Sequence, residues 1–164
     1  MISFVWMSNY PFLAGTGGSE NYTAGHVREL QKRGIDANII TIGFGTNDGR
    51  DDFPDISFQS IDSPEELSNL DAILVFVIYP IAVKTKYPSY AIVHCPLSLC
   101  DSEQSFSVKG TEDKNLIAPS NYAANLWADH FERPHVPVVY PFADEAFAKV
   151  TVPKRSSKKL KILF

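Results

Sequence analysis

Gly15, Gly17, Gly18 and Ser19 stand in the stretch GTGGSE, directly ahead of a helical pattern and shortly after an apolar run of strand length. A helix N-terminus presents unpaired N–H groups and a partial positive charge, and glycines without Cβ let a ligand approach that backbone. Gly15, Gly17, Gly18 and Ser19 are therefore read as a seat for an anionic or polyhydroxylated ligand. The plainer alternative is a tight strand-to-helix turn. The stretch fails as a dinucleotide fingerprint, because Glu20 occupies the place of the third glycine and the second strand ends TIGFG with no acidic residue. It fails as a P-loop for want of Gly-Lys-Ser/Thr. His94 closes the run YAIVH, where an imidazole can hydrogen-bond a hydroxyl or phosphate in a cleft, or be satisfied within its own loop. Ser120 and Asn121 repeat the pattern of strand end, cap and helix start, with simple capping as the alternative. What unites these groups is that separate strand ends bring small polar groups to one rim.

Other residues carry less. His26 reads as a partly buried helix residue. Asp101 and Glu103 have no nucleophile to serve and read as solvated loop carboxylates. His94, Cys95, Cys100 and Asp101 hold donor atoms for zinc but lack a second ligand cluster, so no metal site is expected and the thiols read as reduced. No Ser/His/Asp or Cys/His constellation assembles.

The elements that must hold these residues alternate. Residues 2–8 and 37–43 are apolar runs of the kind found in strands buried on both faces. Between them Ala24, Val27 and Leu30 recur at helical spacing, with Ser19 as N-cap and Gly34 as stop. Further strands are expected at 56–61, 71–80, 90–96, 114–120 and 136–142. A short helix is expected at SPEEL, with Pro64 in its first turn, and another over 120–131 with Ala123, Leu126, Trp127 and His130 on one face. This order predicts a doubly wound, mostly parallel α/β sheet of Rossmann-like type, with ligands at the carboxyl ends of the strands.

Of 164 residues, 45% are apolar, enough for one domain with a core. No stretch approaches the roughly 18 apolar residues of a membrane span, and MISFVWMSNYP carries no charged leader, so a cytoplasmic protein is expected. Membrane association has no amphipathic basic helix to support it. Residues 1–148 carry 9 basic against 19 acidic groups, a net of −10, which disfavours nucleic acid as a partner. The other 6 basic residues lie between Lys149 and Lys161, ahead of the apolar run LKILF. Residues 149–164 therefore read as a linker and the first strand of a further domain.

The segments GTGGSE, LQKRG, IIT, AIVHCP, NLIAPSNYAANLW and VPVVYPFADEAF, in this order, resemble the N-terminal domain of family 4 retaining glycosyltransferases, which have the GT-B fold. The resemblance implies an acceptor-side domain facing a missing C-terminal domain of the same polypeptide that binds the nucleotide-sugar donor. It implies transfer of a sugar from a nucleotide-diphosphate sugar to a hydroxyl of a sugar or glycan-type acceptor, with retention, without a metal or a further cofactor, and with this stretch alone inactive. Gly17 and Gly18 match the loop that approaches donor phosphate and acceptor, His94 matches the histidine near the transferred sugar, and Ser120 matches the strand-end serine. Pro141-Phe142-Ala143-Asp144 stands where many relatives have Asn-Gly-Val-Asp, which weakens a role for Asp144. A self-sufficient nicotinamide enzyme and a non-enzymatic binding module are the alternatives.

Overall fold

The computed structural model describes residues 1–6, 17–45, 48–77, 81–94 and 114–142. Within these, six strands run in chain order: β1 (Ile2–Trp6), β2 (Ala37–Ile42), β3 (Phe58–Ile61), β4 (Ile73–Phe76), β5 (Tyr90–Ile92) and β6 (Asn115–Ile117). Two α-helices, α1 (Gly18–Lys32) and α2 (Asn121–His130), accompany them. The strands form one sheet in the order β3-β2-β1-β4-β5-β6. Every pairing is parallel, where the sequence predicts a mostly parallel sheet. The order reverses between β1 and β4, whose register sets Phe4 beside Val75 on one side and beside Ile39 on the other.

Parallel strands with both faces covered are rich in apolar residues, and in β2 all six residues are buried, four of them apolar, while Asn38 accepts from Ser3 Oγ and Thr41 donates to Asp48. Alternation along the strands builds two cores. Val5, Ile40, Phe76 and Ala91 face Ala123, Ala124 and Trp127 of α2. Phe4, Ile39, Val75 and Ile92 face Tyr22, Ala24 and Val27 of α1. The fold is the α/β Rossmann-like architecture that the alternating pattern predicts.

Three local expectations need correction. Helix α1 is capped by Gly17, in extended conformation, rather than by Ser19, which lies one residue inside the first turn. The cap is set by where the backbone passes from extended to helical, and here that happens two residues earlier. The short helix expected at SPEEL is there, as the 3-10 helix Pro64–Asn69 with Pro64 in its first turn, and Glu66 reaches back to accept from the Ser63 N–H at 3.0 Å. On α2 the buried face is Ala123, Ala124 and Trp127, and His130 is exposed. Residues 136–142 make a single bridge, Ala118 to Val138, where a strand is expected. The Ala118 N–H donates to Pro137 O and the Val139 N–H to Ala118 O, both at 2.9 Å. Pro137 and Pro141 have no N–H with which to extend the ladder.

Gly34 does close α1, with φ +75°. No helix among the described residues is long and apolar enough to cross a membrane. Gly15, Cys95, Cys100, Asp101, Glu103, Asp144, the loop from Ser98 to Asp113 and residues 149–164 lie outside the described residues.

Candidate functional site

All six strands being parallel, their carboxyl ends share one rim, and α1 starts from it. The first intrahelical bond of α1 runs from the Asn21 N–H to Gly17 O at 3.2 Å, and the cap residue, being glycine, has no side chain with which to close the turn before it. Gly17 has φ −91°, and Gly18 is not among the glycines with positive φ, so neither needs the left-handed freedom that glycine confers. A Cβ on Gly18 would meet nothing within 4 Å. Neither backbone strain nor a neighbour explains a glycine at 18, although glycine in a helix costs about 0.5–1 kcal/mol relative to alanine.

One turn further, on the same face at i+4 spacing from Gly18, stands Tyr22, and one turn beyond that His26. The rings of Tyr22 and His26 lie 4.1 Å apart. His94, two residues past the end of β5, meets Tyr22 edge to face at 5.1 Å. Phe142 covers His26 from the other side at 4.7 Å. The Tyr22 hydroxyl donates to Val139 O at 2.6 Å, tying α1 to the segment that follows the Ala118 bridge. The structure thus brings His94 and the first turn of α1 to one side of the sheet, with Tyr22 between them.

Both imidazoles are shaped by burial. His26 Nδ1 lies 2.7 Å from Tyr22 O; a carbonyl only accepts, so Nδ1 carries the proton and Nε2 is the bare nitrogen of the neutral ring. The Nε2 atoms of His26 and His94 are both buried without a hydrogen-bond partner. Desolvation, and secondarily the neighbouring His26, push His94 down from 6.5 to about 4. Desolvation likewise lowers His26, against the bond to Tyr22 O. At neutral pH the site therefore offers uncharged imidazole, suited to exchanging hydrogen bonds with a hydroxyl rather than to neutralising a phosphate.

Tyr22 and His26 also wall a groove of about 260 Å³, otherwise lined by apolar residues such as Phe4, Val75, Tyr90 and Ile92. Neither Tyr22 nor the place of His26 beside His94 is apparent from helical periodicity. The signal was there in the spacing 18, 22, 26, which lines one helix face below the glycines.

Ser120 sits on the same rim, three residues past β6, but begins the helix on the opposite face. Its Oγ accepts from the Ala123 N–H at 3.2 Å and so caps α2. Ser19 donates to Glu20 Oε2 at 3.3 Å. Sequence reasoning also missed Asp48, which lies fully buried beside the end of β2, where a dinucleotide site would want an acid. Thr41 Oγ1 donates to it at 2.9 Å, and Arg50 Nε and Nη2 donate at 2.7 and 2.6 Å. Burial alone would raise its pKa, but these bonds outweigh burial and lower it. That carboxylate is committed to the β2–β3 connection.

Among the described residues no group of three or more His, Cys, Asp or Glu side chains is gathered to hold a metal ion. Set against known proteins, the chain matches no family model, no curated protein and no solved structure.

Proposed function

We propose that the chain is the acceptor-side domain of a retaining glycosyltransferase, which moves a sugar from a nucleotide-diphosphate sugar to a hydroxyl acceptor. The observation that carries this reading is His94. It stands at the carboxyl rim as an imidazole kept neutral by burial, its Nε2 unpartnered, packed on Tyr22 one turn below the open first turn of α1. A neutral imidazole in that place orients hydroxyls of the sugar in transfer without competing for the departing diphosphate's charge. Tyr22, fixed by Val139, and the stack of His26 under Phe142 hold the ring in place. Positive groups and helix N-termini stabilise the charge that develops on the leaving group, and the second domain implied by the resemblance supplies most of them. The nicotinamide alternative loses ground because Asp48, the buried acid bonded to Thr41 of β2, is tied up by Thr41 and Arg50.

The test is release of nucleoside diphosphate from a panel of nucleotide-diphosphate sugars by the longest natural form of the polypeptide, supplied with glycan acceptors. We expect release with at least one donor, a loss of about 100-fold in kcat/KM for His94→Ala, and no transfer by residues 1–164 alone. No release from any donor, or unchanged kcat/KM in His94→Ala, overturns the reading.

A further inference from the structure

The two faces of the sheet are covered unequally over β4, β5 and β6. On the α2 side Phe76, Ala91 and Leu116 are buried, whereas on the α1 side Ile73, Tyr90 and Ile117 are only partly so. These three, with Ile2 and Leu30, line the apolar groove of about 260 Å³ beside α1. Parallel sheets are stable with both faces covered, so apolar ground of this kind calls for a packed element. Among the described residues α1 is the only α-helix on that face, and it packs toward β2.

Topology narrows where the cover comes from. The step from β1 to β2 carries α1 over one face, and right-handed steps in the opposite direction along the sheet, from β4 to β5 to β6, pass over the other, where α2 also lies. That leaves the groove to chain that follows α2. The course of this chain points the same way. The Tyr22 hydroxyl holds Val139 at the rim end of the groove, and three residues later Phe142 rests one turn further down α1, on His26 at 4.7 Å. Leu30, the next turn along, marks the far end.

Beyond Phe142, the last described residue, the sequence continues ADEAFAKV. On a helix Ala143, Ala146, Phe147 and Val150 share one face. Asp144 and Glu145 then fall in the first turn and Lys149 in the last, as the helix dipole favours, and Pro153 follows the end. Residues 143–150 as helix span ~12 Å. The groove runs from Ile73 to the level of Ile92, ~13 Å of strand.

We propose that residues 143–150 form a short helix seated in this groove, with Phe147 against Tyr90 and Ile117. The occupant is this segment because the chain is already led to the groove's mouth by Val139 and Phe142, which a second copy or an apolar ligand would have to displace. Seated there, the helix extends the cover that Phe142 begins over His26 and keeps water from the imidazoles beside the rim. The seat stands or falls independently of glycosyl transfer.

The experiment is a nuclear Overhauser measurement on residues 1–164, labelled at the isoleucine δ1 methyls, followed by amide hydrogen exchange. The Phe147 ring should contact the Ile117 methyl. In Phe147→Glu the amides of 146–150 should exchange about tenfold faster, while Ala148→Glu, on the opposite side of the helix, should change them less than twofold. The proposal is overturned if the Ile117 methyl contacts a different segment or nothing at all, or if mixed labelling shows the contact to come from a second copy. It is equally overturned if the two substitutions act alike. The contacts are read on the parent chain, so they decide the matter even if Phe147→Glu does not fold.

Discussion

His94 and His26 share an aromatic box with Tyr22 and Phe142, and no acidic side chain among the described residues pairs with either ring. Tyr22, the other titratable group facing them, is pushed up to about 12 by burial and stays neutral throughout the acid range. The consequence is a pH-dependent stability whose sign follows from proton binding. The unfolded chain protonates His94 near 6.5 and the folded chain near 4, so the unfolded state binds more protons between these values and stability falls as pH falls through that window. The loss is on the order of 2–3 kcal/mol if the ring remains fully desolvated. Urea midpoints from pH 7 to pH 4 should drop less steeply in His94→Phe than in the parent chain; parallel slopes would show that the ring is solvated. His94 was legible in the sequence because it ends an apolar run. His26 was legible as a partly buried helix residue, but its stacking on Tyr22 was not, and neither was Tyr22 itself, because periodicity marks which helix face is buried without saying what that face meets.

At the scale of elements, the same serine-before-helix pattern has two outcomes. Ser120 does cap α2, and Ser120→Ala should cost about 1 kcal/mol in a urea or thermal unfolding measurement. Ser19 looks equivalent in sequence but yields the cap to Gly17, since the choice depends on where β1 hands the chain to the helix, a tertiary matter. The starts of β1 and β2 follow from apolar runs, whereas β6, Asn115–Ile117, is shorter than the 114–120 expected. The run 136–142 misleads because its apolar content is real, yet Pro137 and Pro141 deny it the donors that a ladder needs. Asp48 stayed invisible for the opposite reason: its partner Thr41 lies on a strand and Arg50 beyond a turn, and nothing in their spacing announces that all three converge.

At the scale of the molecule, alternation of elements announces a doubly wound sheet, whereas strand order does not follow from alternation. The reversal between β1 and β4, from which a site at their carboxyl ends follows, comes from pairing that a linear pattern cannot encode. The two faces of the sheet also divide labour. Trp127, fully buried, anchors α2 against the face built by Val5, Phe76 and Ala91, away from the glycine turn. Trp127→Ala should cost about 3–5 kcal/mol, a large share of the roughly 5–15 kcal/mol that holds such a domain together. Calorimetry or urea unfolding reads that loss directly, and a cost below about 1 kcal/mol would mean that α2 is not part of the cooperative unit.

The hydroxyl of Tyr22 finds its acceptor 117 residues later in the chain, at Val139. During synthesis at some 5–20 residues per second, the helix bearing the glycine turn emerges on the order of ten seconds before the strap that fixes its tyrosine. For that interval the outer flank of the helix and the ring of His26 face the cell uncovered. A nascent chain is thus exposed to aggregation at the very surface that Val139 and Phe142 later cover, and a chaperone would find its handle there.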